Sequence, residues 1–181
     1  MGNRWRLVVA VSLAAATARA EAPAGAARPS TEAAQAGARS WLVALRDRLP
    51  DRLANATAFP LSVDGIAPKS GPDARRCRLA QSAKDAKALD AVARCLFAAK
   101  DFMDALPADF ALARWKIVEA TAIPETFDKK CAQLTALAKD HTLVQIELTG
   151  DTLNYTLLLA LRSVGAAAAV SVVLADGKRP E

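Results

Sequence analysis

Hydrophobic residues follow a helical period in the first two thirds of the chain and a period of two in the last third. Trp41, Leu45 and Leu49 stand four apart with Leu42 beside them. Ser30 or Thr31 can cap the start, so a helix is expected from about residue 31 to Leu49. Pro50 suits the first turn of a second, short helix reaching Ala58. Phe59-Pro60 should stop it, and Leu61-Ser62-Val63 reads as a short strand closed by Asp64-Gly65. Residues 67–76 hold two prolines and a glycine and read as loop. From Ser82, with Asp85 three residues on as a capping box, Leu89, Val92, Leu96, Ala99, Met103 and Leu106 recur at spacings of three and four. That pattern predicts one amphipathic helix, ended by Pro107. Ala113, Trp115 and Ile117 alternate with Arg114 and Lys116 over 112–119, as in a half-buried strand. Pro124 opens a further helix to Lys139, with Phe127, Cys131, Leu134 and Ala138 on one face.

The last third carries the clearest strand signal. Two alternating runs, Thr142–Thr149 and Thr152–Arg162, flank Gly150-Asp151, a pair suited to a two-residue turn. Pairing Thr149 with Thr152 sets Leu148 opposite Leu153, Ile146 opposite Tyr155 and Val144 opposite Leu157. Glu147 then meets Asn154 and Gln145 meets Thr156, so apolar faces apolar and polar faces polar. A last strand is expected over Ala167–Ala175, before Asp176-Gly177 and a polar tail.

Helices first and an antiparallel sheet last is the α+β pattern. The expected architecture is N-terminal helices on one face of a curved antiparallel sheet that ends in a three-strand meander. Ala58-Phe59-Pro60-Leu61, leading from helix into strand, and the meander LVQIELTGDTLNYTLLLALR…AVSVVLADGK resemble the nuclear transport factor 2-like superfamily. Ketosteroid isomerase and scytalone dehydratase share that cone-shaped fold. The resemblance covers about residues 30–178 and is architectural, and helix 124–139 departs from it. It implies a cone with a cavity, in a superfamily whose members include enzymes, small-ligand binders and interaction domains.

The N-terminus bears on where the chain works. Arg4 and Arg6 precede an apolar run, Leu7–Ala16, and Ala18-Arg19-Ala20 is a small-residue cleavage pattern. Residues 1–20 therefore read as a signal peptide and 21–29 as a flexible leader, giving a secreted or periplasmic domain at 30–178. Loss of Arg4, Arg6 and Arg19 lowers the formal charge from +5 to +2. The remaining basic residues are scattered pairs, Arg75-Arg76, Lys129-Lys130 and Lys178-Arg179. They read as solvated surface and argue against nucleic acid as a partner. No later stretch reaches the ~18 apolar residues of a membrane span.

An oxidising compartment makes the three cysteines informative. In one continuous helix Cys77 and Cys95 would lie about 27 Å apart. A turn at Gln81-Ser82 folds them together, so a Cys77–Cys95 disulfide is expected, with Cys131 as a buried core thiol.

Candidate chemistry is sparse. His141 is the only histidine, expected at an exposed strand entry, and no zinc spacing, phosphate loop or G-x-S-x-G motif occurs. No metal or cofactor is expected. His141, Asp64 and Tyr155 are the candidate acid–base groups of an isomerase- or dehydratase-like reading. Glu147, on the polar face with Gln145, is expected to be solvent-exposed. Trp115, Ile146, Tyr155 and Leu157 are the candidate pocket lining, and the core-filling reading competes for the two aromatics. The preferred function is non-catalytic binding of a small apolar ligand or a protein partner at the cone mouth.

Overall fold

The computed structural model describes residues 27–180 except 112 and 120. The segment expected to be a signal peptide and most of the expected leader lie outside the described residues. The fold is mixed α+β, a six-stranded sheet in the order β2 (Ser82–Ala83), β1 (Thr57–Asp64), β6 (Ala167–Lys178), β5 (Asn154–Val164), β4 (Thr142–Leu148), β3 (Arg114–Val118), with helices from the N-terminal half packed on it.

Helix α1 (Thr31–Arg46) starts where Ser30 Oγ accepts from the Ala33 amide at 3.2 Å. Its buried stripe, Ala34, Gly37, Ala38, Trp41, Leu42 and Leu45, lies on the sheet. Gly37 is there because the helix comes so close to the sheet: a Cβ would run into the Ala168 carbonyl oxygen. Helix α2 (Pro50–Asn55) has proline in its first turn and is shorter than expected. It gives way to β1 (Thr57–Asp64), which runs straight through a cis Phe59–Pro60 bond. The proline thus sits inside the strand rather than ahead of it.

Three helices follow on the same side. Helix α3 (Asp73–Leu79) carries Cys77, which had been expected in a loop, and Ser82–Ala83 forms the two-residue β2. The capping residue of α4 (Ala86–Ala98) is Asp85, whose carboxylate accepts from the Ala88 amide at 2.9 Å. The expected single helix is broken at Ala99, and α5 (Lys100–Asp104) takes a new direction. That break lets Phe102, fully buried, meet the Tyr155 ring edge-on at 5.4 Å. Cys77 and Cys95 form the expected disulfide, with Cα atoms 5.3 Å apart, and it joins α3 to α4.

Strands β3 (Arg114–Val118), β4 (Thr142–Leu148), β5 (Asn154–Val164) and β6 (Ala167–Lys178) are antiparallel neighbours. The β1–β6 pair is parallel, so the sheet is mixed rather than antiparallel throughout. The register of the β4–β5 hairpin also differs from expectation. Leu148 pairs with Tyr155 and Ile146 with Leu157, two residues off the predicted ladder. The side-chain faces survive because a shift of two preserves the pleat. The reason lies in the turn: Leu153 is buried, and Gly150 is buried so close to Ala105 that a Cβ on it would lie 2.9 Å from the Ala105 Cβ, while Thr149, Asp151 and Thr152 stay in solvent. Ser171 forms a bulge in β6, since Leu161 pairs with Val170 but Ala160 with Val172. Its hydroxyl donates to the Ala160 carbonyl at 3.2 Å.

Both faces of the sheet are covered. Val144, Ile146, Leu148, Leu157, Leu159 and Leu161 belong to the large core with Trp41, Leu42 and Leu96. On the opposite face Leu143, Leu158, Val172 and Leu174 lie with Phe127 and Leu134. The covering piece is a 3-10 segment, Glu125–Lys130, followed by α6 (Cys131–Leu137). The backbone at Phe127 is non-helical, with φ −109° and ψ 17°, and this breaks the helical phase assumed from Phe127 onward. Cys131 consequently points outward and is an exposed free thiol, not a core residue.

Two outcomes follow. Glycine to alanine inside a helix ordinarily gains about 1 kcal/mol, but at Gly37 the carbonyl clash reverses the sign. Gly37→Ala should lower stability by about 1–3 kcal/mol in urea unfolding, as overpacking does. A neutral or stabilising result would show that α1 does not sit this close to β6. Cys77 and Cys95 are 18 residues apart, and their joint replacement by serine should cost on the order of 3 kcal/mol. Peptide mapping of the unreduced chain should recover Cys77 with Cys95 and leave Cys131 open to a maleimide.

Candidate functional site

The interior between helices and sheet is filled. Trp41, Leu42, Leu45, Leu61, Phe102, Ile146 and Leu157 are all fully buried. Among the described residues, open space is found elsewhere, at two larger recesses.

The larger is a groove of about 590 Å³ along the flank of α1, bordered by α2 and the start of β6. Small residues at helical spacing, Ala33, Ala36, Gly37, Ser40 and Ala44, make one wall because α1 turns its bulky stripe inward. Ala166–Ala168 make the other, directly after the tight β5–β6 turn at Gly165 (φ +60°). Arg52 and Asn55, from α2, supply the charged and amide groups of the lining. Among the described residues that line the groove, Arg52 is the one ionisable side chain.

The second recess, about 270 Å³, lies at the other end of β5. It is bounded by Ala67–Ser70, the α4–α5 break and Tyr155. Asp101 ties its rim together, with Lys69 Nζ 3.4 Å from Oδ2 and the Thr152 hydroxyl donating to Oδ1 at 3.4 Å. Burial raises the Tyr155 pKa above its ordinary 10.0, and the negative charge of Asp101 adds to the effect. The phenol is therefore held in its neutral, hydrogen-donating form at any physiological pH.

The three candidate acid–base residues do not meet. Tyr155 faces the helices, whereas Asp64 lies on the opposite face, where it pairs with Lys130 at 2.9 Å. His141 enters β4 at the end remote from Tyr155: Thr142 pairs with Leu161 and Leu148 with Tyr155, about 20 Å apart along the strand. Contrary to expectation His141 is buried, at 6 % exposure. Its amide donates to Leu137 O at 2.9 Å as the chain leaves α6, and its Nδ1 donates to Asp140 Oδ1 at 2.7 Å. Asp140 itself is solvent-exposed, so this pair lines neither recess. Glu147 is on the exposed polar face, 3.8 Å from Arg114.

The four candidate pocket residues share the helix-facing side of the sheet, yet only Tyr155 borders a recess. Ile146 and Leu157 are cross-strand partners in the packed core. Trp115 is half-buried near the sheet edge, its indole donating to Phe110 O at 2.8 Å, with Arg39 5.7 Å above the ring. Sequence reasoning passed over Arg52, Lys69, Lys100 and Asp101, which only the tertiary fold brings to the recesses. The small-residue stripe on α1 was visible, but without Ala166–Ala168 opposite it nothing marked it as a wall. Among the described residues no cluster of His, Cys, Asp and Glu could hold a metal ion, and no helix is long and apolar enough to cross a membrane.

No family model and no curated protein matches the chain. It is similar to a solved structure from Kribbella flavida DSM 17836, described as a "putative ketosteroid isomerase". The two share 15% identity over 83% of this chain and 81% of that one, with a TM-score of 0.35, a loose likeness.

Tyr155 is the only tyrosine, so phenolate absorbance reports it alone. It should titrate above 10.0 in the folded chain. Asp101→Asn should lower that value while leaving it raised, because burial is the larger cause. A folded pKa above the unfolded one means the contribution to stability is intact below pH 10 and is lost as pH climbs through the folded value. Titration at the ordinary phenol value would show that Tyr155 is solvated.

Proposed function

We propose that this chain is an exported, non-catalytic binding protein with a nuclear transport factor 2-like cone. In this reading the ligand is small, elongated and apolar with an anionic or carbonyl end, and it lies in the groove between α1 and β6. One observation supports the reading above others: a groove of about 590 Å³ has apolar walls and a single cation at its border. Its volume is that of typical small-molecule sites, which are mostly apolar with a few orienting polar groups. Alkyl groups would cover Ala33, Gly37, Val43 and Ala168, and Arg52 with Asn55 would take the polar end. The interior packing speaks for an outer site, since a cone filled by Trp41 and Phe102 leaves a ligand no place inside.

An acid–base reading has one observation in its favour. Tyr155 is held neutral beside Asp101, with Lys69 and Lys100 on the same recess, so ionisable groups do converge there. An isomerase- or dehydratase-like activity would then use Tyr155 as donor, without Asp64 or His141. The recess is small, and the binding reading is the one adopted.

Calorimetric titration of the chain from Glu21 onward with decanoate and decylamine separates the two. Decanoate should bind roughly tenfold tighter, the worth of one solvent-accessible charge-assisted contact. Arg52→Gln should erase that preference, and Ser40→Trp, which fills the groove, should weaken both ligands at least tenfold. Equal binding of the two ligands, or indifference to Ser40→Trp, contradicts the groove as the site. A shift of the Tyr155 titration on adding decanoate would favour the second recess.

A further inference from the structure

Helix α3 is held from behind and presents an unusual front. Its buried residues, Ala74 and Cys77, mark one side. At 100° per residue, Arg75, Leu79 and Arg76 fall together on the opposite side. All three are exposed, and Leu79, at 85 %, is more exposed than Val164, the other large apolar side chain left in solvent among the described residues. Arg78 flanks this ridge, and Arg94 of α4 borders a shallow hollow with Arg76 beside the disulfide. Asp73 borders the same hollow. Among the described residues none of these four arginines forms an ion pair.

We propose that this Arg75–Leu79–Arg76 ridge docks the protein on an anionic phospholipid surface. Leu79 would enter the boundary between headgroups and acyl chains. The guanidinium groups would stay at the phosphates, their stems lying along the apolar edge. The shape favours a bilayer over an acidic protein. A specific protein interface buries on the order of 1,000 Å² or more with matched contours, and a convex seven-residue helix with one apolar side chain offers nothing of that size. A deformable lipid surface can close around it. The disulfide makes the ridge usable. A helix this short is not stable alone, and Cys77–Cys95 fixes it to α4, so it meets the surface already formed. The ridge shares no residue with the groove between α1 and β6, and the proposal stands independently of the ligand-binding reading.

Co-sedimentation of the chain from Glu21 onward with vesicles decides it. Vesicles of phosphatidylglycerol and phosphatidylethanolamine should carry the protein down at low salt, and phosphatidylcholine vesicles should not. Arg75→Gln with Arg76→Gln should weaken binding roughly tenfold or more. Leu79→Ser should weaken it several-fold with the charge intact. Arg114→Gln with Lys116→Gln, on the exposed edge strand β3, should leave it unchanged. These positions are all exposed, and the unfolding midpoint of each variant confirms that it folds. Absence of vesicle binding, equal binding to both compositions, or equal weakening by the β3 pair would overturn the proposal. So would full binding by Leu79→Ser, which would reduce the effect to diffuse charge attraction.

Discussion

Three residues from three elements hold the helical layer to the sheet. The Trp41 indole, fully buried, donates to Thr57 Oγ1 at 3.1 Å, and the Thr57 hydroxyl donates to Leu53 O at 2.7 Å. This relay satisfies the polar atoms of the largest core side chain and locks α1, α2 and β1 to one another. Helix α1 is thereby fixed in angle as well as position, and Gly37 lets it settle against the Ala168 carbonyl. Parallel pairing of β1 with β6 depends on the same anchor, because α2 must deliver the chain to Thr57 beside Val170.

The close approach of α1 has a cost and a consequence. Beneath the helix Trp41, Phe102, Leu61 and Leu157 are fully buried in one apolar core. Free volume is displaced to the flank of α1 and to the open end of β5. On the far face of the sheet the Glu125–Leu137 excursion covers the patch around Leu143, Leu158 and Val172. Phe127 and Leu134 supply its apolar contact, while Lys130–Asp64 and the Thr126 hydroxyl on Asp176 secure its margin.

Local signals were legible and distant ones were not. The stripe of α1 and its Ser30 cap follow from spacing within a single helix. The face on which each β4 and β5 residue lies also follows, because alternation is local. The hairpin register does not, since it depends on the burial of Leu153 and on Gly150 packing onto Ala105, a contact between distant segments. The parallel β1–β6 pair and the break at Ala99 are likewise settled by packing partners far along the chain. Cys131 was misplaced for a more specific reason: a 3-10 turn at Phe127 alters the phase that the helix pattern assumed. Of the candidate site, Tyr155 was legible as an apolar-face aromatic. Its neighbours Asp101 and Lys69 come from segments with no common pattern.

Amide chemical-shift mapping during titration with decanoate distinguishes the flank of α1, the proposed ligand site, from the interior and the second recess. Shifts are expected to cluster at Gly37, Ser40, Arg52 and Ala168, with Leu157 and Tyr155 unmoved. Shifts centred on Tyr155, Asp101 and Lys69, with Gly37 and Ala168 silent, would rule the groove out.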